Sequence, residues 1–274
     1  MFLSATSNPF RRTRHATITL SVPVIAASLV IAAAIDPAIA AGCAFAPQGE
    51  GRVTEVIDAR SFRLEDGRDV SLIGIEPVSI TDTKANRTAA LAAIIGGHEV
   101  TLRGDDDTPD RYGRQPAFVF VDSSDIPVQA VLLAQGAALL AATVTDKECA
   151  ATLAAAEASA RIAKRGTWAD PAAIKNTESP GDILAGIGRF TVVEGKVLSV
   201  RQAGVTTYLN FGRNWTRDFA VTIPKRMIPV FEGAGIMLKS LENRRIRVRG
   251  WIEARGGPRI EALRVGQIEL LGEN

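Results

Sequence analysis

Three sets of residues have the type and spacing to do chemistry. Arg245, Arg247 and Arg249 alternate along one stretch, and Trp251 continues the series. Side chains two apart on a strand share a face, so Ile246, Val248 and Ile252 point the other way, into a core. A basic stripe ending in an aromatic suits a single-stranded nucleic acid: cations for the backbone, a ring for a base. Tyr208, Phe211, Arg213, Trp215 and Arg217 extend it. The alternative is a solvated outer face with its aromatics in the core. Asp105, Asp106, Asp107 and Asp110 cluster as if to collect a divalent cation, but lack the ligand alternation and terminal Glu of an EF-hand loop. They read as a solvated polar turn. His98 beside Gly96-Gly97 has no partner histidine or cysteine motif and reads as structural.

The composition removes other chemistries. With 2 His and 2 Cys, the 274-residue chain cannot build zinc fingers, iron–sulfur clusters or a multi-disulfide scaffold. Its 32 Lys+Arg against 30 Asp+Glu rule out a histone-like polyanion binder and an acidic disordered chain. Near-neutrality is a cancellation. From Gly51 to Asp170 there are 13 basic and 18 acidic residues, a net of −5; from Pro171 to Asn274 there are 16 and 10, a net of +6.

The N-terminus reads as an address. Arg11, Arg12 and Arg14 precede an apolar run, and Ala38-Ile39-Ala40 supplies small residues for cleavage after Ala40. An uncleaved anchor is the alternative; Pro23, Pro37 and the small-residue exit argue against it. Export to the periplasm or beyond is the expectation, with no integral span left after cleavage. Ala40 is a poor first residue for a lipid-attachment box at Cys43. An oxidising compartment and an even count predict a Cys43–Cys149 disulfide, against the alternative of two buried thiols.

Stepping out to the elements, strands are expected over 52–57, 61–64, 70–75, 100–103 and 117–121, with a hairpin turn at Asp66-Gly67. Helices are expected over 82–95, over 128–135 with Pro127 opening it, and from the capping box at Thr145-Asp146-Lys147-Glu148 to about Arg165. The polar, Gly- and Pro-containing stretch 176–188 reads as a linker. Beyond it, strands over 190–200, 206–211, 219–223, 245–252 and 259–263, with helical turns over 228–241, follow the order of an OB barrel.

Several segments, in order, resemble the staphylococcal nuclease (thermonuclease) family: Val56-Ile57-Asp58, Asp66-Gly67, Leu72-Ile73-Gly74-Ile75, Asp110-Arg111-Tyr112-Gly113-Arg114, Leu132–Gly136, and Glu157, Arg161 and Gly166-Thr167-Trp168. The resemblance covers about Arg52 to Trp168. It implies a five-stranded OB barrel with three helices, and Ca²⁺-dependent phosphodiester hydrolysis. Carboxylates would hold the cation, a Glu would activate water, and two Arg would grip the phosphate. Carried over by position, a metal-binding Asp is Arg60, a phosphate-gripping Arg is Ser71 and the general base is Ser79. Glu76 still offers a carboxylate, and Arg114 remains either to grip phosphate or to bond loop carbonyls. Repair of the metal site by Asp58 or Asp82 is the alternative. Arg60 and Glu76 are expected to pair inside the former metal pocket.

The expected fold is a β-rich α+β protein. Residues 1–40 form a signal peptide, 41–170 an SNase-like OB domain, 171–187 a linker, and 188–274 a second OB-like β-barrel domain. The leading reading is an exported protein with a degenerate catalytic centre and no cofactor, which binds nucleic acid, another polyanion or an envelope protein. The alternatives are an active nuclease using Ca²⁺, and an envelope protein-interaction module.

Overall fold

The protein is described from a computed structural model, which covers residues 43–78 and 84–272; within the helix beginning at Lys84, side chains are described from Thr88 onward. The stretch expected to be a signal peptide, Ser79 and Asp82 lie outside the described residues. The first half runs β1 (Pro47–Asp58), β2 (Ser61–Leu64), β3 (Asp69–Leu72), β4 (Ile75–Pro77), α1 (Lys84–Ile95), β5 (Glu99–Arg103), β6 (Gln115–Val121), α2 (Val128–Ala134), β7 (Ala138–Leu140) and α3 (Lys147–Ile162). Five of these strands close a barrel in the order β1-β2-β3-β6-β5. Closure depends on the length of β1, whose first part pairs with β5 and whose second part pairs with β2. The parallel pair β3 and β6 completes the circuit. Phe62, Val70, Leu72, Leu102, Ala117 and Val119 share one face of the closed sheet and fill it, Phe118 and Phe120 lie buried on the opposite face, and α1 adds Leu91 and Ile95 to the core. Closing the sheet removes its edges.

The helix starts differ slightly from expectation. Pro127 is the N-cap of α2 rather than its first residue. Asp146, not Thr145, caps α3, its side chain accepting from the Cys149 amide at 2.8 Å. Aspartate stands nearer the helix here and does the same work. Cys149 lies in that first turn and is bonded to Cys43, 106 residues away in sequence.

The second half runs β8 (Ile174–Asn176), α4 (Pro180–Leu184), β9 (Phe190–Lys196), β10 (Ser199–Ala203), β11 (Thr206–Asn210), β12 (Ala220–Pro224), α5 (Ile228–Gly233), β13 (Arg245–Trp251), β14 (Glu253–Arg255), β15 (Gly257–Glu261) and β16 (Ile268–Leu270). The stretch read as a linker carries structure: β8 pairs in parallel with β9, and α4 buries Ile183. The strand expected over 190–200 breaks at Val197-Leu198 into β9 and β10, so the ladders form two sheets, β10-β11-β12-β15-β14 and β16-β13-β9-β8. A β-rich α+β fold results, in which a closed barrel is followed by a further β unit. Among the described residues no helix is long and apolar enough to cross a membrane.

All described residues fall in one compact unit, and the join between the halves explains why. Leu139, Ala160 and Trp168 from the first half pack with Phe190 and Val192 from the second. Beside this apolar seam lies an ion network. Glu157 on α3 and Arg249 on β13 meet at 2.8 Å, their side chains 1% and 4% exposed. Arg249 also donates to the Leu140 carbonyl at 3.1 Å, and Glu157 accepts from the Leu140 amide at 2.8 Å. Arg247 donates to Glu194 at 2.6 Å and to Glu269 at 2.7 Å. Arg161 reaches both Glu157 and Glu269. Three guanidinia therefore face three carboxylates. Desolvation, followed by repulsion from Arg247, lowers the proton affinity of Arg161. Desolvation also acts on Arg247, but its hydrogen bond and attraction to Glu269 outweigh it and hold that guanidinium more firmly charged.

Two stability predictions follow from these joins. Arg249→Ala strands the Glu157 charge inside the protein and is expected to cost about 3–5 kcal/mol in a urea melt. The double variant Glu157→Gln/Arg249→Met, which removes both charges and keeps an acceptor for the Leu140 amide, is expected to recover most of that loss. Replacing Cys43 and Cys149 by Ser is expected to cost about 2–5 kcal/mol, because the bridge closes a long loop; a melt that does not move would contradict it.

Candidate functional site

The turn between β1 and β2 is the starting point, because Asp58 and Ser61 face each other across it. Asp58 closes the turn with its own side chain, Oδ1 accepting from the Arg60 amide at 2.9 Å. This Asx turn aims the Arg60 guanidinium across to β4. There Nη1 of Arg60 meets Oε1 of Glu76 at 3.1 Å. Glu76 is fixed in turn by the pairing of β4 with β7, opposite Leu139. Its side chain is only 14% exposed, and burial pushes its carboxyl above the usual range even though Arg60 pulls the other way. A charge of one sign in so dry a position requires a counter-charge, and Arg60 supplies it.

Arg114 comes in from the next loop. Gly113, at a φ of +77°, turns the chain so that Arg114 folds back on Asp110. Nε and Nη2 of Arg114 donate to Asp110 Oδ2 at 3.0 and 2.8 Å, and Nη1 donates to Ser61 Oγ at 3.0 Å. Asp58 stands at 4.0 Å from the same Nη1. The Asp110 carboxylate also accepts from the amides of Tyr112 and Arg114. Desolvation works to raise the Asp110 proton affinity, but these hydrogen bonds and the guanidinium together hold it below the usual carboxylate range. The Arg114 guanidinium donates to the Asp110 carboxylate and the Ser61 hydroxyl rather than to loop carbonyls, and a phosphate gripped by it would share or displace those contacts.

Ser71 lies opposite Ser61 on β3 and is buried, so it offers no cation for a phosphate. Ser79 and Asp82 lie outside the described residues. Among the described residues no group of three or more His, Cys, Asp or Glu side chains gathers as a metal site. The residues here do not fit Ca²⁺, which takes six to eight oxygens. One Glu76 oxygen is held by Arg60, one Asp58 oxygen by a backbone amide, and a guanidinium stands between. A cavity of about 230 Å³ opens beside this cluster, with Glu76 and Thr143 on one wall and Trp251, Glu253, Glu261 and Arg264 on the other.

The basic stripe on β13 is corrected by the fold. Arg247 and Arg249 are 8% and 3% exposed and belong to the ion network between the halves. Their face of the strand is covered by α3, so they are not a surface for nucleic acid. Arg245 remains exposed at the start of β13. Trp251 is half-exposed and edge-on to Phe190, with ring centroids 6.0 Å apart. The alternate residues Ile246, Val248 and Ile252 point into the second core as the spacing predicts. His98 sits on the surface, 3.5 Å from Asp122. Asp106 accepts from the Thr108 amide within an exposed turn.

Two functional pairings escaped sequence reasoning. Asp110 and Arg114 are four apart, but in a loop rather than a helix, so the spacing carries no rule. Glu157 and Arg249 are joined only by the tertiary fold, 92 residues apart.

Residues 83–170 match the family described as Staphylococcal nuclease homologue. No curated protein matches the chain. The match takes in α1 to the turn after α3, including Arg114, Glu157, Arg161 and Trp168, and the strands before it complete the closed barrel. The first half of this protein is an SNase-like domain.

Proposed function

We propose that this is an exported SNase-like protein that binds nucleic acid without hydrolysing it. The observation that carries the reading is the Arg60–Glu76 pair at 3.1 Å. A guanidinium where the family resemblance puts a cation ligand removes an oxygen and adds a repelling charge. The second support is Arg114, whose donors already serve Asp110 and Ser61. An absent transition-state donor typically costs about 2.7–4 kcal/mol, a factor of a hundred to a thousand. Loss of the metal site, one phosphate clamp and the base leaves little basis for turnover. The basic second half, a net of +6 from 16 basic and 10 acidic residues, supplies the attraction for a polyanion that the acidic first half does not. Export rests on the N-terminal sequence and agrees with the Cys43–Cys149 bridge.

Labelled single-stranded DNA and RNA incubated with the purified, oxidised protein are expected to stay intact with Ca²⁺, Mg²⁺ or Mn²⁺, matching a chelator control. Cleavage that needs metal and disappears in Arg114→Ala would contradict the proposal.

The same pair has a pH signature. The Glu76 carboxyl is raised by burial, so the folded protein holds this proton more tightly than the unfolded chain. Its contribution therefore becomes less favourable as pH rises from about the ordinary value of 4.5 through the raised one. Glu76→Gln is expected to flatten the stability-against-pH curve over that window in urea melts. An unchanged slope would show that Glu76 titrates as an exposed carboxylate.

A further inference from the structure

The loop from Phe211 to Phe219 joins the end of β11 to the start of β12. Its conformation is fixed internally: Asp218 accepts from the Asn214 amide at 2.8 Å, and Asn214 accepts from Thr216 at 2.6 Å. Trp215 stands on this ordered loop 74% exposed. β15 runs parallel to β12, so the turn that precedes it lies at the same end of the sheet. The two contacts agree, since a Cβ built on Gly256 would meet the Trp215 ring edge at 3.6 Å. Arg255 in that turn is 76% exposed and Arg217 is 77% exposed; Arg213 is exposed as well. The base of the loop is tied to Leu198, whose amide donates to the Asn210 carbonyl. Just before it, the exposed Lys196 is in register with the exposed Arg245. The carboxylates facing these groups are Asp218, 3.7 Å from Arg217, and Glu253, 3.9 Å from Arg255. Three exposed cations, Arg213, Arg217 and Arg255, accompany one large exposed ring on this loop and the turn beside it.

We infer that this end of the second half is a stacking platform for single-stranded nucleic acid. Trp215 takes a base, and Arg213, Arg217 and Arg255 hold the backbone phosphates. The inference rests on the proposed binding role and places it outside the SNase-like domain. The ring stands exposed on an internally hydrogen-bonded loop, which suits stacking, and Arg213 and Arg217 flank it in sequence, which suits a strand passing over it. Entry into a bilayer needs a broader apolar face than one indole and the half-exposed Leu198 provide.

The test is fluorescence anisotropy of a labelled oligothymidylate with the native protein, Trp215→Ala, Trp215→Phe, Arg213→Ala and Arg114→Ala, beside sedimentation with phosphatidylglycerol vesicles. Trp215→Ala is expected to weaken binding roughly fivefold to a hundredfold, as removal of one stacked base does. Trp215→Phe should retain most affinity, and Arg213→Ala should reduce the salt slope by about one. Arg114→Ala should bind like the native protein. Melts of the exposed Trp215 variants should not move, which separates lost binding from lost fold. Undiminished binding by Trp215→Ala overturns this site and leaves the binding role standing. No binding by the native protein overturns both. Capture by vesicles without strand binding assigns the tip to a membrane surface and overturns the inference.

Discussion

The structure depends on one buried ion pair. Glu157 and Arg249 are both almost wholly enclosed, and they meet because the two halves of the chain come together there. Arg249 also holds the Leu140 carbonyl, so the same contact fixes β7, and β7 in turn pairs with β4 and seats Glu76. The position of the candidate site therefore rests on a contact made by the second half. A buried pair is weak evidence for net stability but strong evidence for specific assembly, because either charge alone is costly. The second half is thus more than an appended unit: without it, Glu157 would lose its shortest ion pair and keep the one with Arg161 at 3.4 Å.

The candidate site follows the same electrostatic logic at smaller scale. Arg60 neutralises Glu76, and Arg114 neutralises Asp110, with Asp58 at hand. Each guanidinium meets a carboxylate of the same chain where hydrolysis would need one to meet a phosphate and a metal to meet the other. Both guanidinia of the site are thus engaged by its own carboxylates. Free cationic surface lies instead on the second half, around Trp215, Arg217 and Arg255. Charge was already divided this way along the sequence, but which arginines stay in water was settled by packing.

The parts legible in the sequence were those set by local rules. The first-half strands, the Asp66-Gly67 hairpin, the three helices and the disulfide all have short-range or compartment-level signals. The Arg60–Glu76 pair was readable through the family resemblance, since it required knowing that two distant turns converge. The β13 arginines were misread because alternation says only that Arg247 and Arg249 share a face. It does not say whether water or helix α3 covers it. The break of the long strand at Val197-Leu198 was likewise hidden, since neither residue is a breaker; the two segments part because each pairs with a different sheet. The linker reading failed for a related reason, as polar, Gly- and Pro-containing residues also form the short β8 and α4 when a sheet edge is there to receive them.

Arg60 stands as the counter-charge of Glu76, and the proposal is that this pair occupies the pocket in place of a metal. Thermal unfolding in millimolar Ca²⁺ against a chelator tests this directly, because any ligand that binds the folded state raises its stability. Superimposable curves are expected for the native protein, and a Ca²⁺-dependent rise for Arg60→Asp, which places a second carboxylate beside Glu76. A Ca²⁺-dependent rise in the native protein that is lost in Glu76→Gln would contradict it.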